Sequence, residues 1–277
     1  MMRTICLTLA YEGTRYSGWQ VQPGQLTVQG ALAEAIHIVS GEHVASCGSS
    51  RTDAGVHALG QVVAFTTASD LDPAVWVRAL NATLPDDVSV LAGSEVPSGF
   101  DPIRMAVRKR YRYRIHDAPF RPVLGRQFVW RRKSRLDTHA MQVAADILVG
   151  EHDFTSFETT PSTRLSKVRT IHTASVVRHC GADGVPGAEV WVEVDGNGFL
   201  HNMVRIIVGS LGLVGAGKQP SAWMREAIAA RTRGAAGPTA PPEGLVLVSI
   251  EIDPNQMGSA GANTSQTGTE NDYGKAP

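Results

Sequence analysis

The sequence predicts an α+β protein made of two ferredoxin-like βαββαβ-type units, with their sheets joined side by side around a central basic cleft. Strand-like and helix-like patterns follow the order β-α-β-β-α-β over about the first hundred residues, which is the order of that unit. A longer series of the same kind follows. Basic residues are concentrated just after the point where the first series ends.

The first unit is expected to span residues 1–105. Apolar residues occupy one face of a helix from Val28 to Val39, with Thr27 as its N-cap and Gly41 as its stop. Asp72 followed by proline predicts a second helix that runs to about Thr83. Strands are predicted at residues 3–11, 43–47, 61–66 and 88–96.

The second unit is expected to span residues 106–253, with the boundary between the units near residues 102–106. Asp137 caps a helix that ends near Gly150, and two further helices are predicted at residues 199–214 and 221–231. Residues 254–277 contain almost nothing apolar, so a disordered tail is predicted there. Strands are predicted at residues 107–116, 127–132, 168–178, 188–195 and 245–252.

The composition is that of a globular protein with ample core material. The chain has 277 residues, 43% apolar and 19% charged. No apolar run approaches the roughly 20 residues of a membrane span, and no secretory signal is evident at the start. The three cysteines are far apart and form no CxxC pair, which disfavours a zinc site or a disulfide framework. A cytoplasmic location without membrane contact is expected.

The formal net charge of zero conceals a strong asymmetry. Between Arg104 and Arg135 there are twelve Lys or Arg and one acid, Asp117, so this window carries +11 and the remainder −11. Such segregation indicates a surface that meets a polyanion, although a solvated basic face without a partner is the alternative. Aromatic residues interleave with the basic ones, which favours nucleic acid.

The centre of this window is a single predicted strand. Along a strand, Arg110, Arg112 and Arg114 share one face, and Tyr111 and Tyr113 share the other. The first face would be strongly cationic, and the second carries rings that either stack on a base or fill the core. The candidate RNA-binding residues are Arg108, Lys109, Arg110, Arg112 and Arg114.

The most informative segment is Ser-Ser-Arg-Thr-Asp-Ala-Gly-Val-His-Ala at residues 49–58. It places one carboxylate, Asp53, two residues after Arg51 and two before Gly55. A neighbouring arginine favours the ionised form of a carboxyl group. An ionised aspartate in a cleft can serve as a nucleophile or a base. A surface Asx-turn with a local ion pair is the simpler interpretation of this segment alone.

Arg205 is the third candidate, because it interrupts the apolar stretch 204–208. A buried arginine requires an anionic partner, which is a structural carboxylate, a catalytic aspartate or a substrate phosphate. By contrast, Gly212–Lys218 only approximates a phosphate-binding P-loop: Gln219 follows where a hydroxyl is needed, and the preceding residues are helix-like. The nine histidines show no metal-ligand spacing.

Taken together, the motifs resemble those of the TruA-type tRNA pseudouridine synthases over about residues 3–253. The chain differs at Ser50, where members usually have glycine, and in the run 100–104. The matching segments are residues 16–20 (YSGWQ), 51–58 (RTDAGVHA), 109–113 (KRYRY), 152–157 (HDFTSF), 199–205 (FLHNMVR) and 243–245 (EGL).

The resemblance implies the pseudouridine synthase fold and an isomerase that converts uridine to pseudouridine at tRNA positions 38, 39 and 40, in the anticodon stem-loop. It implies that Asp53 is the nucleophile, Tyr111 stacks near the target uracil, Arg205 pairs with the aspartate and Leu245 lines the uracil pocket. Arg51 is a further substrate-binding candidate. The resemblance also implies a homodimer that binds tRNA and uses no metal or organic cofactor.

Two functions of other classes remain open from the residues alone. The βαββαβ pattern also suits a non-catalytic RNA-binding protein, which would have no need for Asp53 in a basic cleft. A nucleotide phosphotransferase that uses Gly212–Lys218 would require magnesium-dependent nucleotide binding.

Overall fold

The computed structural model describes residues 1–159, 166–182 and 184–253. The predicted tail at residues 254–277 lies outside them. The described chain forms one ten-stranded mixed sheet with five α-helices, which confirms the predicted α+β class. No helix in the described ranges has the length and apolar character to cross a membrane.

The first half follows the predicted element order. The predicted caps are confirmed: the Gly30 N–H donates to the Thr27 hydroxyl, the Ala74 N–H donates to the Asp72 carboxylate, and Gly41 ends its helix at a φ of 75°. The elements are β1 (Arg3–Tyr11), α1 (Val28–Ser40), β2 (Ser46–Gly48), β3 (His57–Thr67), α2 (Pro73–Thr83) and β4 (Val88–Val96).

The second half contains two elements that differ from expectation. The strand predicted at 127–132 is a 3-10 turn followed by a two-residue strand, and an unpredicted strand lies at Gly150–Asp153. The elements are β5 (Ala106–His116), β6 (Trp130–Arg131), α3 (Thr138–Asp146), β7 (Gly150–Asp153), β8 (Val168–His179), β9 (Glu189–Gly196), α4 (Met203–Gly215), α5 (Trp223–Ala230) and β10 (Leu245–Ile252).

Two similar strand groups meet in the middle of the sheet. The main path is β4-β1-β3-β10-β5-β9-β8-β7, and β2 pairs with β3. The first half therefore has the ferredoxin-like order 4-1-3-2, and the second half repeats it as β10-β5-β9-β8 with β7 added at the edge. The halves join where β3 and β10 pair in parallel, at His57–Val246 and Ala58–Leu247. The exact domain division, residues 1–105 and 106–253, stays a prediction.

The helices cover one face of the sheet. Alternate residues of β1, β3, β5 and β9 pack with α1–α4 in one continuous core, which includes Leu7, Phe65, Tyr113 and Val192. The opposite face, here called the open face, has a smaller cluster around Cys6, Val62, Ala64, Val96 and Phe100.

Candidate active site

A cleft of about 970 Å³ opens at the join between the two halves, near the upper limit of roughly 1,000 Å³ for ligand pockets. Its lining includes the loop at residues 49–56, strand β5, the start of β8, the residues that lead into and begin α4, and the start of β10. The loop at 49–56, here called the Asp53 loop, connects β2 to β3.

The Asp53 loop is fixed from both sides. The Trp19 N–H donates to the Thr52 carbonyl at 3.0 Å, and the Val56 N–H donates back to the Asp53 carbonyl at 3.1 Å. Gly55 has a φ of 77°, a conformation that residues with a Cβ rarely adopt, so glycine permits the turn just after the aspartate. The Tyr11 and Thr52 hydroxyls lie 2.8 Å apart in the buried layer beneath.

Asp53 forms an ion pair with Arg205 across the join. Arg205 Nη1 lies 2.9 Å from Asp53 Oδ2, and the side chains of Asp53 and Arg205 are 29% and 15% exposed. A second donor, Arg205 Nε, bonds the Ala240 carbonyl at 2.8 Å and fixes the guanidinium independently of the aspartate. The other carboxylate oxygen of Asp53 is not bonded to Arg205, and Asp53 lines the cleft, so the group is held in place and accessible.

Two further residues of this centre were not singled out from the sequence. His201 Nε2 lies 3.7 Å from Asp53 Oδ1, and Asn202 Oδ1 accepts from Arg205 Nη1 at 2.6 Å. Asn202 has a φ of 61°, and α4 begins directly after it at Met203 rather than at the predicted Phe199. Asparagine tolerates this left-handed conformation better than most residues, which is the signal the sequence offers for it.

Tyr111 and Leu245 lie in the cleft wall as the resemblance implies. Tyr111 is 6% exposed and Leu245 is 6% exposed, and both line the cleft. Phe199 packs edge-on against the Tyr111 ring at a centroid distance of 5.2 Å. Burial raises the pKa of the Tyr111 phenol to about 12, so the hydroxyl is protonated near neutral pH.

His57, which follows the Asp53 loop, is a structural connector. Its Nδ1 accepts from the Gly13 N–H at 3.0 Å, and its Nε2 lies 3.3 Å from the Glu243 carbonyl. The acceptor role of Nδ1 places the proton on Nε2, which donates to that carbonyl. Burial lowers the pKa of this imidazole and favours the neutral ring that both contacts need. His57 thereby links β3 to the segment that leads into β10.

The cations of the cleft come from several elements. Arg51 is exposed at the rim, and no described carboxylate lies in ion-pair range of it. Lys109 Nζ donates to the Ser49 carbonyl at 2.6 Å, and Arg169 also lines the cleft. With Arg205 these make four cations, against the two acids Asp53 and Glu158 among the described lining residues, so the cleft is basic as predicted.

The expectation of a strongly cationic strand face is wrong, and the reason is strand pairing. The arginine stripe (Arg108, Arg110, Arg112 and Arg114) lies on the open face, because Tyr111 and Tyr113 point to the helices and the cleft. Strand β9 pairs with β5 and places carboxylates on the same face. Arg108 and Arg110 pair with Asp195, Arg112 with Glu193, and Arg114 with Glu189. RNA binding by the stripe stays a prediction.

Gly212–Lys218 does not form a phosphate-binding loop. Residues 212–215 are the last turn of α4, whereas a P-loop joins a strand to the start of a helix. This geometry removes the support for a nucleotide phosphotransferase.

Comparison with known proteins identifies related sequences over most of the chain. The model of a family described as tRNA pseudouridine synthase matches residues 8–102 and 144–253. A protein of Brevibacillus brevis named tRNA pseudouridine synthase A is 46% identical over 246 residues, which cover 89% of this chain and 98% of that protein. Proteins of the same name from Myxococcus xanthus and Pseudomonas aeruginosa are 41% and 42% identical over 249 residues each. The alignment with the Myxococcus protein covers 92% of that protein and 90% of this chain. The alignment with the Pseudomonas protein covers 85% of that protein and 89% of this chain.

Among solved structures, one chain of an archaeal box H/ACA sRNP Nop10-Cbf5 complex aligns with this protein at 10% sequence identity and a TM-score of 0.34. The alignment covers 84% of this chain and 60% of that chain. That similarity is too low to support a conclusion about the site.

Proposed function

The chain belongs to the tRNA pseudouridine synthase family, and we propose that it isomerises uridine to pseudouridine in tRNA with Asp53 as the nucleophile. The observation that carries this assignment is the Asp53–Arg205 pair at 2.9 Å, placed in a basic cleft beside Tyr111 and Leu245. A non-catalytic RNA-binding protein would gain nothing from a carboxylate at this position.

The reaction is an internal rearrangement of one nucleotide. The bond between uracil N1 and sugar C1′ breaks, the uracil turns, and C5 bonds to C1′, while C5 loses a proton and N1 gains one. No atom is added and no electron is transferred overall, so the reaction requires no redox group or energy source. Attack at C1′ and attack at uracil C6 both use one carboxylate, and Asp53 serves either route.

The site supports this chemistry through position and charge. Arg205 is anchored by the Ala240 carbonyl, so it orients Asp53 without moving itself. A target base has to leave its stack before an enzyme reaches it, at a cost of a few kcal/mol. Stacking of the base on an aromatic ring such as Tyr111 offsets this cost by about 1–3 kcal/mol. Contacts between phosphates and cations such as Arg51 stabilise the complex further.

The proposed substrate sites are tRNA positions 38, 39 and 40. The test incubates the protein with unmodified tRNA and maps pseudouridine by chemical labelling. We expect pseudouridine at those uridines, and none at a position where cytidine replaces uridine. Pseudouridine only outside the anticodon stem-loop would refute the positions, and none in any tRNA would refute the function.

We also propose that the protein is a homodimer that buries the open face. Leu59 is 52% exposed and Val177 is 48% exposed on this face, and a depression of about 450 Å³ lies between Leu59, Arg112 and Trp191. A sheet face that exposes apolar side chains beside paired arginines and carboxylates has the mixture of groups that interfaces between protein chains bury.

Sedimentation tests the dimer directly. We expect the wild-type chain to sediment as a dimer and Leu59→Glu to shift it toward monomer. Ile38→Glu is the matched control, because Ile38 is 59% exposed on α1, on the helix-covered side. A monomeric wild-type protein would contradict the proposal.

A further inference from the structure

A hydroxyl pair joins the Asp53 loop to the cleft wall. Ser50 Oγ lies 2.8 Å from the Tyr111 hydroxyl oxygen, across 61 residues of sequence. Resting on the proposed function of this cleft, we propose that Ser50 is a positioning residue that fixes the Tyr111 hydroxyl during the reaction.

Ser50 is held firmly enough for this role. The Ser50 N–H donates to Gln61 Oε1 at 3.1 Å, and Gln61 Nε2 donates back to the Ser50 carbonyl. Gln61 lies on β3 and is fully buried, so its amide holds the backbone of Ser50 in a fixed position relative to the sheet. The backbone that carries the Ser50 hydroxyl is thus fixed by a buried side chain of β3.

The orientation of the Tyr111 O–H bond in turn depends on this contact with Ser50. The phenol is 6% exposed, and its ring is fixed by Phe199, but a ring contact does not orient an O–H bond. A buried hydroxyl normally finds a hydrogen-bond partner, and Ser50 is the partner that the structure provides. A Tyr111 hydroxyl that is already oriented does not have to reorganise when the uracil turns beside it. Its orientation therefore lowers the activation barrier of the reaction and does not change the affinity for tRNA.

A purely conformational role for Ser50 is less consistent with the backbone. Among the described non-glycine residues, only Asn202 and Arg231 have positive φ, so residue 50 does not need a glycine-like conformation. Serine therefore leaves the turn unstrained at this position, and Asp53 lies beside Arg205. What the serine adds is its hydroxyl.

A double-mutant cycle tests the inference by single-turnover pseudouridine formation. We expect Ser50→Ala and Ser50→Gly each to slow the reaction about 2- to 12-fold, the range of one hydrogen bond, with tRNA affinity unchanged. Ser50→Thr, which keeps the hydroxyl, should restore most of the rate. In a Tyr111→Phe background, Ser50→Ala should have no further effect, because the group it acts through is gone.

Ser46→Ala is the matched control. Ser46 is a buried serine on neighbouring β2 whose hydroxyl has no hydrogen-bond partner among the described residues, so its loss should leave the rate unchanged. A wild-type rate in Ser50→Ala would overturn the inference. So would an equal loss in the Tyr111→Phe background, since it would show that serine shapes the loop. Either result combined with an inactive Asp53→Asn protein leaves the proposed function and its nucleophile standing. An active Asp53→Asn protein would instead refute Asp53 as the nucleophile, and a wild-type protein that forms no pseudouridine would refute the function itself.

Discussion

Helix α4 approaches a neighbouring segment so closely at Gly209 that a methyl group has no room there. A Cβ built at Gly209 lies 1.7 Å from the Pro238 carbonyl oxygen, on a segment that cannot yield like a flexible side chain. Four residues before Gly209, about one helical turn away, Arg205 exchanges two bonds with the same segment: its Nε donates to the Ala240 carbonyl, and the Ala240 N–H donates to its carbonyl. Gly209→Ala must therefore separate α4 from the segment that orients Arg205.

The same helix offers an internal standard in Gly212. The atoms nearest to a Cβ there are two carbons of the Trp130 ring, at 3.5 and 3.6 Å, and Arg132 Nη1 at 4.0 Å, which are ordinary contacts. Alanine in a helix interior is favoured over glycine by about 1 kcal/mol, so Gly212→Ala should stabilise the protein by up to that amount. Gly209→Ala has the same favourable change in helix propensity, but overpacking against the Pro238 carbonyl lowers its unfolding free energy by about 1–3 kcal/mol or more. This variant should therefore be less stable than wild type.

Urea unfolding and single-turnover pseudouridine formation test both consequences. We expect the two variants to differ by at least about 1 kcal/mol in unfolding free energy, with opposite signs relative to wild type. Gly209→Ala should also lose activity under conditions where it remains folded, because the Arg205 guanidinium moves away from Asp53. A Gly209→Ala protein as stable and active as Gly212→Ala would refute this account of how the helix positions Arg205.

Three further predictions follow from individual contacts. Arg205→Lys keeps the charge but has only one nitrogen to replace Nε and Nη1, so kcat/KM should fall roughly 10- to 100-fold; a wild-type value would show that the charge alone suffices. Because burial lowers the pKa of His57, its contribution to stability is complete above about pH 6.5 and is lost as the pH falls through the folded-state pKa. Below pH 6.5 the unfolding free energy should therefore drop with pH less steeply in His57→Asn than in wild type, and equal slopes would contradict the buried neutral ring. Arg51→Ala should weaken tRNA binding and reduce its salt dependence by about one phosphate contact, and an unchanged salt slope would contradict a role of Arg51 in substrate binding; Arg110→Ala tests the predicted RNA binding by the arginine stripe with the same measurement.

Local signals in the sequence predicted the elements that local chemistry determines. Asp137 is an example: its carboxylate accepts from the Ala140 N–H at 3.0 Å, as an N-cap should, and α3 begins at the next residue. The alternation of Arg112 with Tyr113 likewise predicted that the two side chains point to opposite faces. Periods of 3.6 and 2 residues require no knowledge of the rest of the fold.

The parts that the sequence did not predict depend on partners far along the chain. The neutralisation of Arg112 requires β9 to pair with β5 in a register that places Glu193 opposite it. The start of α4 at Met203 depends on Asn202, whose side chain bonds both Thr159 and Arg205. Such contacts join segments that no local pattern relates, so only the folded chain reveals them.

The resemblance placed Asp53, Tyr111, Arg205 and Leu245 in one site before any contact between them was known. The structure brings all four to the same cleft, although their separation in the sequence reaches 192 residues between Asp53 and Leu245.

The most direct test of the central claim is pseudouridine formation by Asp53→Asn, measured by chemical labelling of unmodified tRNA alongside tRNA binding. The amide keeps the shape of the carboxylate but lacks its nucleophilic oxygen, so we expect no product and retained binding. Asp146→Asn, an exposed change on α3, should behave as wild type. Appreciable pseudouridine from Asp53→Asn would contradict the account.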